Sequence, residues 1–328
     1  MFKKENKPAH YGEDSFKNPY ITHFDKGLFD VIKMHFFDDE RIEWKGKENK
    51  VPFQTADSSM INTVTNSVKI TWIGNSSFLF QKDSINILTD PVFYDKASPV
   101  SFAGPERVHP PGIKKEHLPK IDIVLISHDH YDHLDKDFVK WMNNRTKWVI
   151  PIGLKEFFTD LDILPENIIE LDWYEANELN GIKITATPTQ HFSGRKPWGR
   201  NRSLWCSYAV EINDYKFWFG GDTGYNDIQF KEIGQKFGGF DLALIPIGAY
   251  KPRWFMKDMH VNPEEAVFIH KELSSKFSIA GHWGTFKLSA EDIDEPINDL
   301  NKAKIKHSIK DDEFIHLGIG KTKVIILL

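Results

Sequence analysis

The sequence predicts a mixed fold, α/β or α+β, with a large share of β-sheet. From Val68 onward, short apolar runs rich in β-branched and aromatic residues recur, and each has the length of a strand. Segments compatible with helices lie between several of these runs. The chain shows no long internal repeat and no low-complexity linker, so a single main domain is the simplest organisation.

The predicted elements follow one another in a regular order. The strand-like runs are VKITWIG, SFLFQ, INILTD, IDIVLIS, KWVIPIG, IKITATP, CSYAVEI, KFWFGG, DLALIPI and FSIAGHW. The helix-compatible segments are Lys136–Met142, Gly153–Phe158, Asp227–Phe237 and Pro263–Leu273. The last of these has the clearest start signal, because Asn262 is a favourable N-cap and Pro263 stands at the first helical position.

The N-terminal part differs from the rest. Residues 1–65 are rich in Lys, Asn, Asp and Phe and carry no strong strand pattern. We expect them to form an extension with short helices, around Gly27 to Phe36, that wraps the core. Residues 66–328 would then form the catalytic domain.

The composition is that of an ordinary soluble globular protein. With 328 residues, 40% of them hydrophobic, the chain can bury a sizeable core. A formal net charge of -5 gives no support for a nucleic-acid partner, because that binding depends on clustered Lys and Arg. The single cysteine, Cys206, excludes an internal disulfide and a cysteine-rich zinc site.

The cellular location follows from two absences in the sequence. No apolar segment follows the early lysines, so no secretory signal is visible, and no run is long enough to span a bilayer. We therefore expect a cytoplasmic protein, either monomeric or homodimeric. Peripheral contact with a membrane remains compatible with this expectation.

The stretch IDIVLISHDHYDHL, Ile121 to Leu134, carries the strongest chemical signal. His128, His130, Asp132 and His133 arrive where the preceding strand should stop. Three imidazoles and a carboxylate within six residues, with no thiolate, suit zinc in a hydrolytic site. The alternative is a polar turn that happens to be rich in histidine.

Four more ligand-type residues repeat this placement. Asp90 follows INILT, His191 follows ITATPTQ, Asp222 follows FWFGG, and His282 follows IAG. Loops at strand ends present functional groups on a rigid scaffold, so separate segments can converge on one edge of a sheet. A lone histidine is more often a satisfied core or surface residue, but the repeated position favours a shared site.

The residues suffice for two metal ions. The first zinc would bind three neutral nitrogens, and the second two nitrogens and an oxygen, with a carboxylate bridging the pair. The sets are His128, His130 and His191 for the first ion, Asp132, His133 and His282 for the second, and Asp222 as the bridge. Water bound in such a site is acidified to a pKa near 7, which yields hydroxide at neutral pH.

These residues resemble the metallo-β-lactamase superfamily. The resemblance rests on His128-x-His130-x-Asp132-His133, His191, the Gly-Asp-Thr-Gly stretch at Asp222, and His282. It implies an αββα sandwich of two mixed sheets flanked by helices, with a dinuclear zinc site at one edge. At the position where many relatives have a histidine in a Gly-His-Ser/Ala stretch, this chain has Asn75, to which we assign no metal role.

Longer segments are similar to N-acylphosphatidylethanolamine-hydrolysing phospholipase D and its bacterial relatives. They are LTDPVF, ASPVSFAGPERVHPP, LISHDHYDHLD, VIPIGL, IIELDWYE, TPTQHF, GGDTGYN, FDLALIPIGAYKPRWFM, HVNPEEAV and HWGTFKL. The resemblance implies hydrolysis of a phosphodiester to phosphatidic acid and an N-acylethanolamine, by a hydroxide that bridges two zinc ions. Asp90 would then accept a hydrogen bond from a liganding histidine or restrain the hydroxide. The alternative for Asp90 is a turn carboxylate before Pro91.

Other residues are candidates for contact with the substrate. His260 precedes a helix N-terminus, a location that favours anions, so we expect it to contact substrate phosphate and not to bind metal. Tyr131, Arg253 and Trp254 are expected to contact the lipid. Arg195 and Trp205 belong to a second basic and aromatic stretch that suits a membrane interface, although an ordinary folded loop explains it equally well.

Two other classes of function remain open at this point. One is a small-molecule metallo-hydrolase, such as a sugar-phosphate lactonase. The other is a non-catalytic metal-binding scaffold, which the complete set of ligand-type residues disfavours.

Overall fold

The computed structural model describes residues 8–21, 30, 42–100, 102–195 and 199–326. Within these residues the strands form two mixed sheets of seven strands each. The strands are β1 Val68–Gly74, β2 Ser77–Lys82, β3 Ile85–Thr89, β4 Ile123–Leu125, β5 Lys147–Pro151, β6 Ile168–Leu171, β7 Ala176–Leu179, β8 Ile182–Thr187, β9 Ser207–Ile212, β10 Tyr215–Phe219, β11 Leu242–Pro246, β12 Ser278–Gly281, β13 Phe314–Ile315 and β14 Thr322–Ile325. The α-helices are α1 Ser58–Asn62, α2 Lys136–Met142, α3 Lys155–Thr159, α4 Gln229–Phe237, α5 Arg253–Met256, α6 Pro263–Glu272 and α7 Glu295–Lys306. In the described part of the chain, single turns of 3-10 helix occur at Glu48–Lys50, Lys115–His117, Asn143–Arg145 and Pro165–Asn167.

The two sheets have the same arrangement in outline. The first has the order β14-β1-β2-β3-β4-β5-β6, and the second has the order β13-β12-β11-β10-β9-β8-β7. In the first sheet, β1, β2 and β3 pair antiparallel, whereas β3 to β6 pair in parallel. In the second, β10 to β13 are parallel and β7 to β10 are antiparallel.

The main core lies between the sheets. Phe80 of β2 stacks on Phe217 of β10 with ring centroids 4.2 Å apart, so side chains of the two sheets meet directly. A second apolar cluster covers the other face of the first sheet, where Phe138 and Phe158 from the helices pack around Trp148. Because β1 and β2 are buried on both faces, their sequences read as apolar runs without clear alternation.

This architecture confirms the predicted fold class, the αββα sandwich of α+β type. Each apolar run noted in the sequence contains a strand, and α2 spans the predicted residues Lys136–Met142. In IDIVLIS only Ile123–Leu125 is strand, since the chain then turns to present the histidines. The expected helix around Gly27 to Phe36 lies, apart from Asp30, outside the described residues.

Some elements were not predicted from the sequence. Strand β7 reads ANEL and is largely exposed, so it has no apolar run to mark it. Helix α7 reads EPINDLNKAKIK, and only a narrow stripe of it is buried. Both depend on packing against neighbours more than on local pattern.

The described N-terminal residues contact the domain. His10 Nε2 forms a hydrogen bond with Asp172 Oδ1 at 2.7 Å, and Trp44 and Val51 belong to the main core. These contacts fit an extension that lies against the core. The boundary between residues 65 and 66 stays a prediction.

The strands place their carboxyl ends where a site can form. Asp90 directly follows β3, and His128 comes shortly after β4 in the first sheet. In the second sheet, His191, Asp222 and His282 follow β8, β10 and β12. Since the sheets face each other, these loops meet along one edge of the sandwich. Among the described residues, no helix has both the length and the apolar character needed to cross a membrane.

Candidate functional site

Two groups of ligand-type side chains lie next to each other at this edge. We call His128, His130 and His191 the nitrogen cluster, and Asp132, His133, Asp222 and His282 the carboxylate cluster. Within each group, one potential ligand atom per residue lies within 4.8 Å of those of the others. The structure therefore brings together all seven residues that the sequence predicted as metal ligands.

The nitrogen cluster consists of imidazoles alone. His130 Nδ1 lies 2.9 Å from His128 Nε2 and 3.2 Å from His191 Nε2. The remaining nitrogens of two of these rings have acceptors: His191 Nδ1 faces the Met259 carbonyl at 3.0 Å, and His128 Nδ1 faces Ser127 Oγ at 2.9 Å. Hydrogen bonds at the far nitrogens leave the near nitrogens free to donate lone pairs.

Burial keeps these imidazoles neutral. It lowers the pKa of His191 to about 3 and that of His130 to about 4, since a charged ring is poorly solvated in the interior. Burial and the neighbouring imidazoles also lower the pKa of His128 well below its usual value. Neutral imidazole is the form that binds a metal ion.

The carboxylate cluster pairs imidazoles with acids. His133 Nε2 lies 3.3 Å from Asp132 Oδ2 and 3.2 Å from Asp222 Oδ2. His282 Nε2 lies 3.2 Å from each of the same two oxygens. The two rings stack with centroids 5.2 Å apart, so both face the same pair of carboxylates.

The pKa values of the imidazoles in this cluster are raised, whereas those in the nitrogen cluster are lowered. Burial alone would lower the pKa of His282, but Asp222 and Asp132 outweigh it and raise that pKa to about 9. The same balance raises the pKa of His133 well above its usual value. Burial acts against the carboxylates as well, yet the imidazoles hold the pKa values of Asp132 and Asp222 well below the usual range.

Asp222 joins the two clusters. Besides its contacts with His133 and His282, its Oδ2 lies 3.8 Å from His191 Nε2. The preceding Gly221 has φ +58, and a Cβ there would lie 2.5 Å from Ser127 Cβ. Glycine therefore allows the Asp222 loop to approach the residue before His128.

The nitrogen and oxygen atoms of the two clusters are suited to bind divalent metal ions. His133 Nε2 and Asp222 Oδ1 are buried atoms that make no hydrogen bond. In the nitrogen cluster, lone-pair nitrogens approach within about 3 Å, which is favourable only if a cation or a proton lies between them. The distances suit ions bound by nitrogen and oxygen at about 2 Å.

Asp90 lies directly behind the ligands. It is fully buried, and its Oδ2 faces His133 Nδ1 at 2.6 Å and accepts from Ser127 Oγ at 2.5 Å. Burial raises the pKa of Asp90, and the hydrogen bonds from His133 and Ser127 oppose that rise. Asp90 thus contacts a ligand-type histidine, and through Ser127 it also reaches His128.

His260 lies at the rim of the site. Its Nδ1 is 3.8 Å from Asp222 Oδ2, its ring is 5.1 Å from that of His191, and its side chain keeps 12% exposure. Burial lowers its pKa to about 3. The expected helix start follows it, since Asn262 caps α6 in a capping box with Glu265.

The other expected substrate contacts have structural partners. Tyr131 Oη donates to the Arg195 carbonyl at 2.9 Å. Arg253 donates to both carboxylate oxygens of Glu265, at 2.8 and 2.9 Å, and to the His260 carbonyl at 2.8 Å, so its guanidinium supports the His260 loop. Trp254 is 38% exposed. Whether these residues contact substrate stays a prediction.

In the basic and aromatic stretch near His191, Arg195 and Trp205 make contacts within the fold. Arg195 donates to the carbonyls of Asp129 and Leu134, at 2.9 and 2.7 Å, and stacks over Tyr131. Trp205 is fully buried, so it cannot lie at an interface. Arg195 therefore links the loop that carries His191 to the loop that carries His128 by hydrogen bonds.

Three supporting contacts were not foreseen from the sequence. Ser127 connects Asp90 to His128, the Met259 carbonyl orients His191, and Asn75 donates to Asp132. Only Ser127 had a sequence signal, because it directly precedes His128. The others depend on residues that are distant along the chain.

Comparisons with known proteins indicate the family of this chain. Residues 85–283 match the model of the Beta-lactamase superfamily domain. The chain is similar to an N-acyl-phosphatidylethanolamine-hydrolysing phospholipase D of Caenorhabditis elegans, with 43% identity over 76% of this chain and 74% of that protein. It is also similar to the mitochondrial protein of the same description from Saccharomyces cerevisiae, with 38% identity over 69% of this chain and 49% of that protein.

Solved structures agree at the level of the fold. A possible metal-dependent hydrolase of Veillonella parvula aligns with a TM-score of 0.64 and 17% identity, over 78% of this chain and 99% of that one. A metallo hydrolase of Ignicoccus hospitalis aligns with a TM-score of 0.58 and 22% identity, over 80% of this chain and 100% of that one. The chain therefore belongs to the beta-lactamase superfamily and, within it, to the metal-dependent hydrolases of the N-acyl-phosphatidylethanolamine-hydrolysing phospholipase D family.

Proposed function

We propose that this protein hydrolyses N-acylphosphatidylethanolamine to an N-acylethanolamine and phosphatidic acid, as a phospholipase D. The observation that carries the proposal is the paired cluster of seven histidines and aspartates, in a chain 43% identical to an N-acyl-phosphatidylethanolamine-hydrolysing phospholipase D of Caenorhabditis elegans. The cleaved bond would be the phosphodiester P–O bond on the ethanolamine side, and water would supply the new oxygen on phosphorus.

The proposed cofactor is two zinc ions per chain. His128, His130 and His191 would hold one ion, Asp132, His133 and His282 would hold the other, and Asp222 would contact both. All of these donors are nitrogen or carboxylate oxygen, which suits zinc. Bound zinc would acidify water and stabilise negative charge on phosphoryl oxygens.

The protein's own residues would keep these donors oriented. Asp90 and the Met259 carbonyl accept from the far nitrogens of His133 and His191, so the near nitrogens keep their lone pairs toward the site. Asp222 stays ionised because His133 and His282 hold its pKa well below the usual range. Burial of His128, His133, His191, Asp222 and His282 keeps most of the donor atoms away from bulk water.

His260 would act on the substrate phosphate. It is the ligand-type side chain at the rim, it keeps partial exposure, and it directly precedes the N-terminal end of α6. Its low pKa makes it a neutral hydrogen-bond donor to a phosphoryl oxygen. Asp132 and Asp222 would contribute to catalysis by holding the metal ions.

The proposed lipid contacts are Tyr131, Arg253 and Trp254, with the protein bound peripherally to a membrane. Trp254 and Phe102 present exposed aromatic surface, with 38% and 82% of their area accessible. Partly exposed aromatic side chains suit an interface that is apolar on one side and wet on the other. Co-sedimentation with zwitterionic and anionic liposomes tests this part, and absence of binding to either would exclude it.

Incubation of the purified protein with N-acylphosphatidylethanolamine, followed by mass spectrometry of the products, tests the main proposal. We expect N-acylethanolamine and phosphatidic acid to form in equal amounts. Cleavage of a sugar-phosphate lactone with no cleavage of the lipid would instead support a small-molecule hydrolase. No hydrolysis of either substrate or of a nitrophenyl phosphodiester, by protein with measured metal, would support a non-catalytic scaffold.

A further inference from the structure

Asn75 lies against the carboxylate cluster, in the turn between β1 and β2. It is 2% exposed, and its Nδ2 lies 2.9 Å from the Asp132 carbonyl and 3.3 Å from Asp132 Oδ2. Because a backbone carbonyl can only accept, the NH₂ end of the amide must face Asp132. The side chain therefore donates to both the backbone and the carboxylate of that residue.

The backbone of Asn75 holds a second member of the same cluster. Its carbonyl accepts from the His282 backbone N–H at 3.0 Å and from Trp72 Nε1 at 2.9 Å. Its own N–H donates to Thr285 Oγ1 at 2.7 Å. One buried residue thus contacts Asp132 and His282, which are 150 positions apart in sequence.

The side chain of Asn75 contacts the Asp132 oxygen that also faces the two imidazoles of the cluster. Oδ2 of Asp132 is the atom that faces His133 Nε2 and His282 Nε2, at 3.3 and 3.2 Å. A donor on that oxygen limits rotation of the carboxylate. The φ of Asn75 is +49, a conformation that asparagine tolerates better than most residues, so the turn itself aims the amide at Asp132.

We propose that Asn75 is a positioning residue that sets the metal affinity of the carboxylate cluster by fixing Asp132 and the His282 backbone. The inference rests on the proposed two-metal function. It is specific to one cluster, because no hydrogen bond of Asn75 among the described residues reaches His128, His130 or His191. Groups that support a metal ligand typically change metal affinity by about 10–100-fold.

Asn75→Gly tests the proposal. Glycine accepts a positive φ and keeps the backbone contacts, so the variant removes only the amide. Asn213→Gly is the matched control, since Asn213 also has positive φ, at +54, but lies in the exposed turn between β9 and β10. The measurement is equilibrium dialysis of metal-free protein against buffered zinc, with zinc per chain read by mass spectrometry.

We expect Asn75→Gly to keep one tight ion and to bind the second about 10–100-fold more weakly, while Asn213→Gly matches wild type. Equal weakening of both ions would show a general loss of structure and would overturn the proposal, as would unchanged affinity. If Asn75→Gly is insoluble, Asn75→Ser, whose hydroxyl is too short to reach Asp132, replaces it.

The same titration separates this proposal from the two-metal function. Wild type that binds fewer than two ions contradicts the proposed stoichiometry. In that case Asn75→Gly is compared with wild type in a His130→Ala background, where the ion has to bind the carboxylate cluster. Weaker binding there supports the role of Asn75, and unchanged binding overturns it.

Discussion

The nitrogen cluster and the carboxylate cluster share one site but hold charge in opposite ways. In the nitrogen cluster, burial lowers the pKa values of the imidazoles, to about 3 for His191 and about 4 for His130. In the carboxylate cluster, two aspartates raise the pKa of His282 to about 9. His191 and His282 are both buried, yet their pKa values shift in opposite directions, because the carboxylates near His282 outweigh the cost of desolvation.

The difference in pKa means that the two clusters bind a metal ion under different conditions. The nitrogen cluster is ready to bind an ion, since its imidazoles are neutral at neutral pH. The carboxylate cluster of the metal-free protein holds protonated imidazoles beside its carboxylates, so an ion there must displace protons. Asp222, which contacts both groups, couples the two processes.

Loss of Asp222 should have the largest effect, because it removes the contact between the clusters. Asp222→Ala is expected to weaken both ions and to lower hydrolysis by on the order of 1000-fold, because the metal ions that would stabilise the reacting charge are held less tightly. The measurements are zinc per chain and the rate on N-acylphosphatidylethanolamine. Asp214→Ala, in the exposed turn before β10, is the control. Retention of both ions with full activity would contradict the joining role.

Single ligand changes should separate the clusters. Asp132→Asn is expected to weaken only the ion of the carboxylate cluster, and His130→Ala only that of the nitrogen cluster, by roughly 100-fold. Zinc titration of each metal-free variant measures both affinities. If either change released both ions equally, the clusters would act as a single unit and the comparison would be wrong.

His260→Ala should leave both clusters intact and still impair the reaction. The His260 ring makes no hydrogen bond to Asp90, to Ser127 or to the imidazoles of the two clusters. The zinc content should therefore stay at the wild-type value. Loss of a donor to the phosphate should lower kcat by roughly 100-fold. Steady-state kinetics on the lipid, together with zinc analysis, test this. Full activity of the variant would exclude His260 from catalysis.

The clusters should also respond differently to pH. A raised pKa of about 9 means that His282 carries a proton at neutral pH in the metal-free protein, so its ion competes with that proton. The zinc affinity of the carboxylate cluster should therefore fall as the pH drops below 9. For each proton that zinc displaces, the fall should be about tenfold per pH unit. The nitrogen cluster should keep its affinity down to about pH 4. Zinc titration from pH 6 to 9 should therefore show one sloping and one flat affinity, and two parallel slopes would contradict the comparison.

The smallest effect is expected from the N-terminal segment. Asn18 Nδ2 donates to the His191 carbonyl at 2.7 Å, so Asn18→Ala removes one hydrogen bond from the nitrogen cluster loop. A loss of about 1 kcal/mol corresponds to roughly a fivefold weaker ion in that cluster. Asn62→Ala, which removes an exposed side-chain bond in α1, is the control. An unchanged zinc titration would show that the hydrogen bond from Asn18 does not support the site.

Much of the site could be read from the chain because its signals are local. His128, His130, Asp132 and His133 lie within one short loop, and the remaining candidate ligands each follow an apolar run. The positions of β7 and α7 could not be read in this way, since a polar, partly exposed element has no pattern of its own. The same holds for Asn75 and Met259, whose roles depend on distant partners.

The sequence by itself indicated the candidate ligands and a mixed fold rich in β-sheet, because strand runs and the residues that end them are local features. The sandwich arrangement was expected from the family resemblance. Only the tertiary structure decided how charge is divided between the clusters. That division depends on which carboxylates face which imidazoles across loops up to 150 residues apart, as for Asp132 and His282. Desolvation and Coulomb interactions act through space, so no reading of neighbouring residues could supply them.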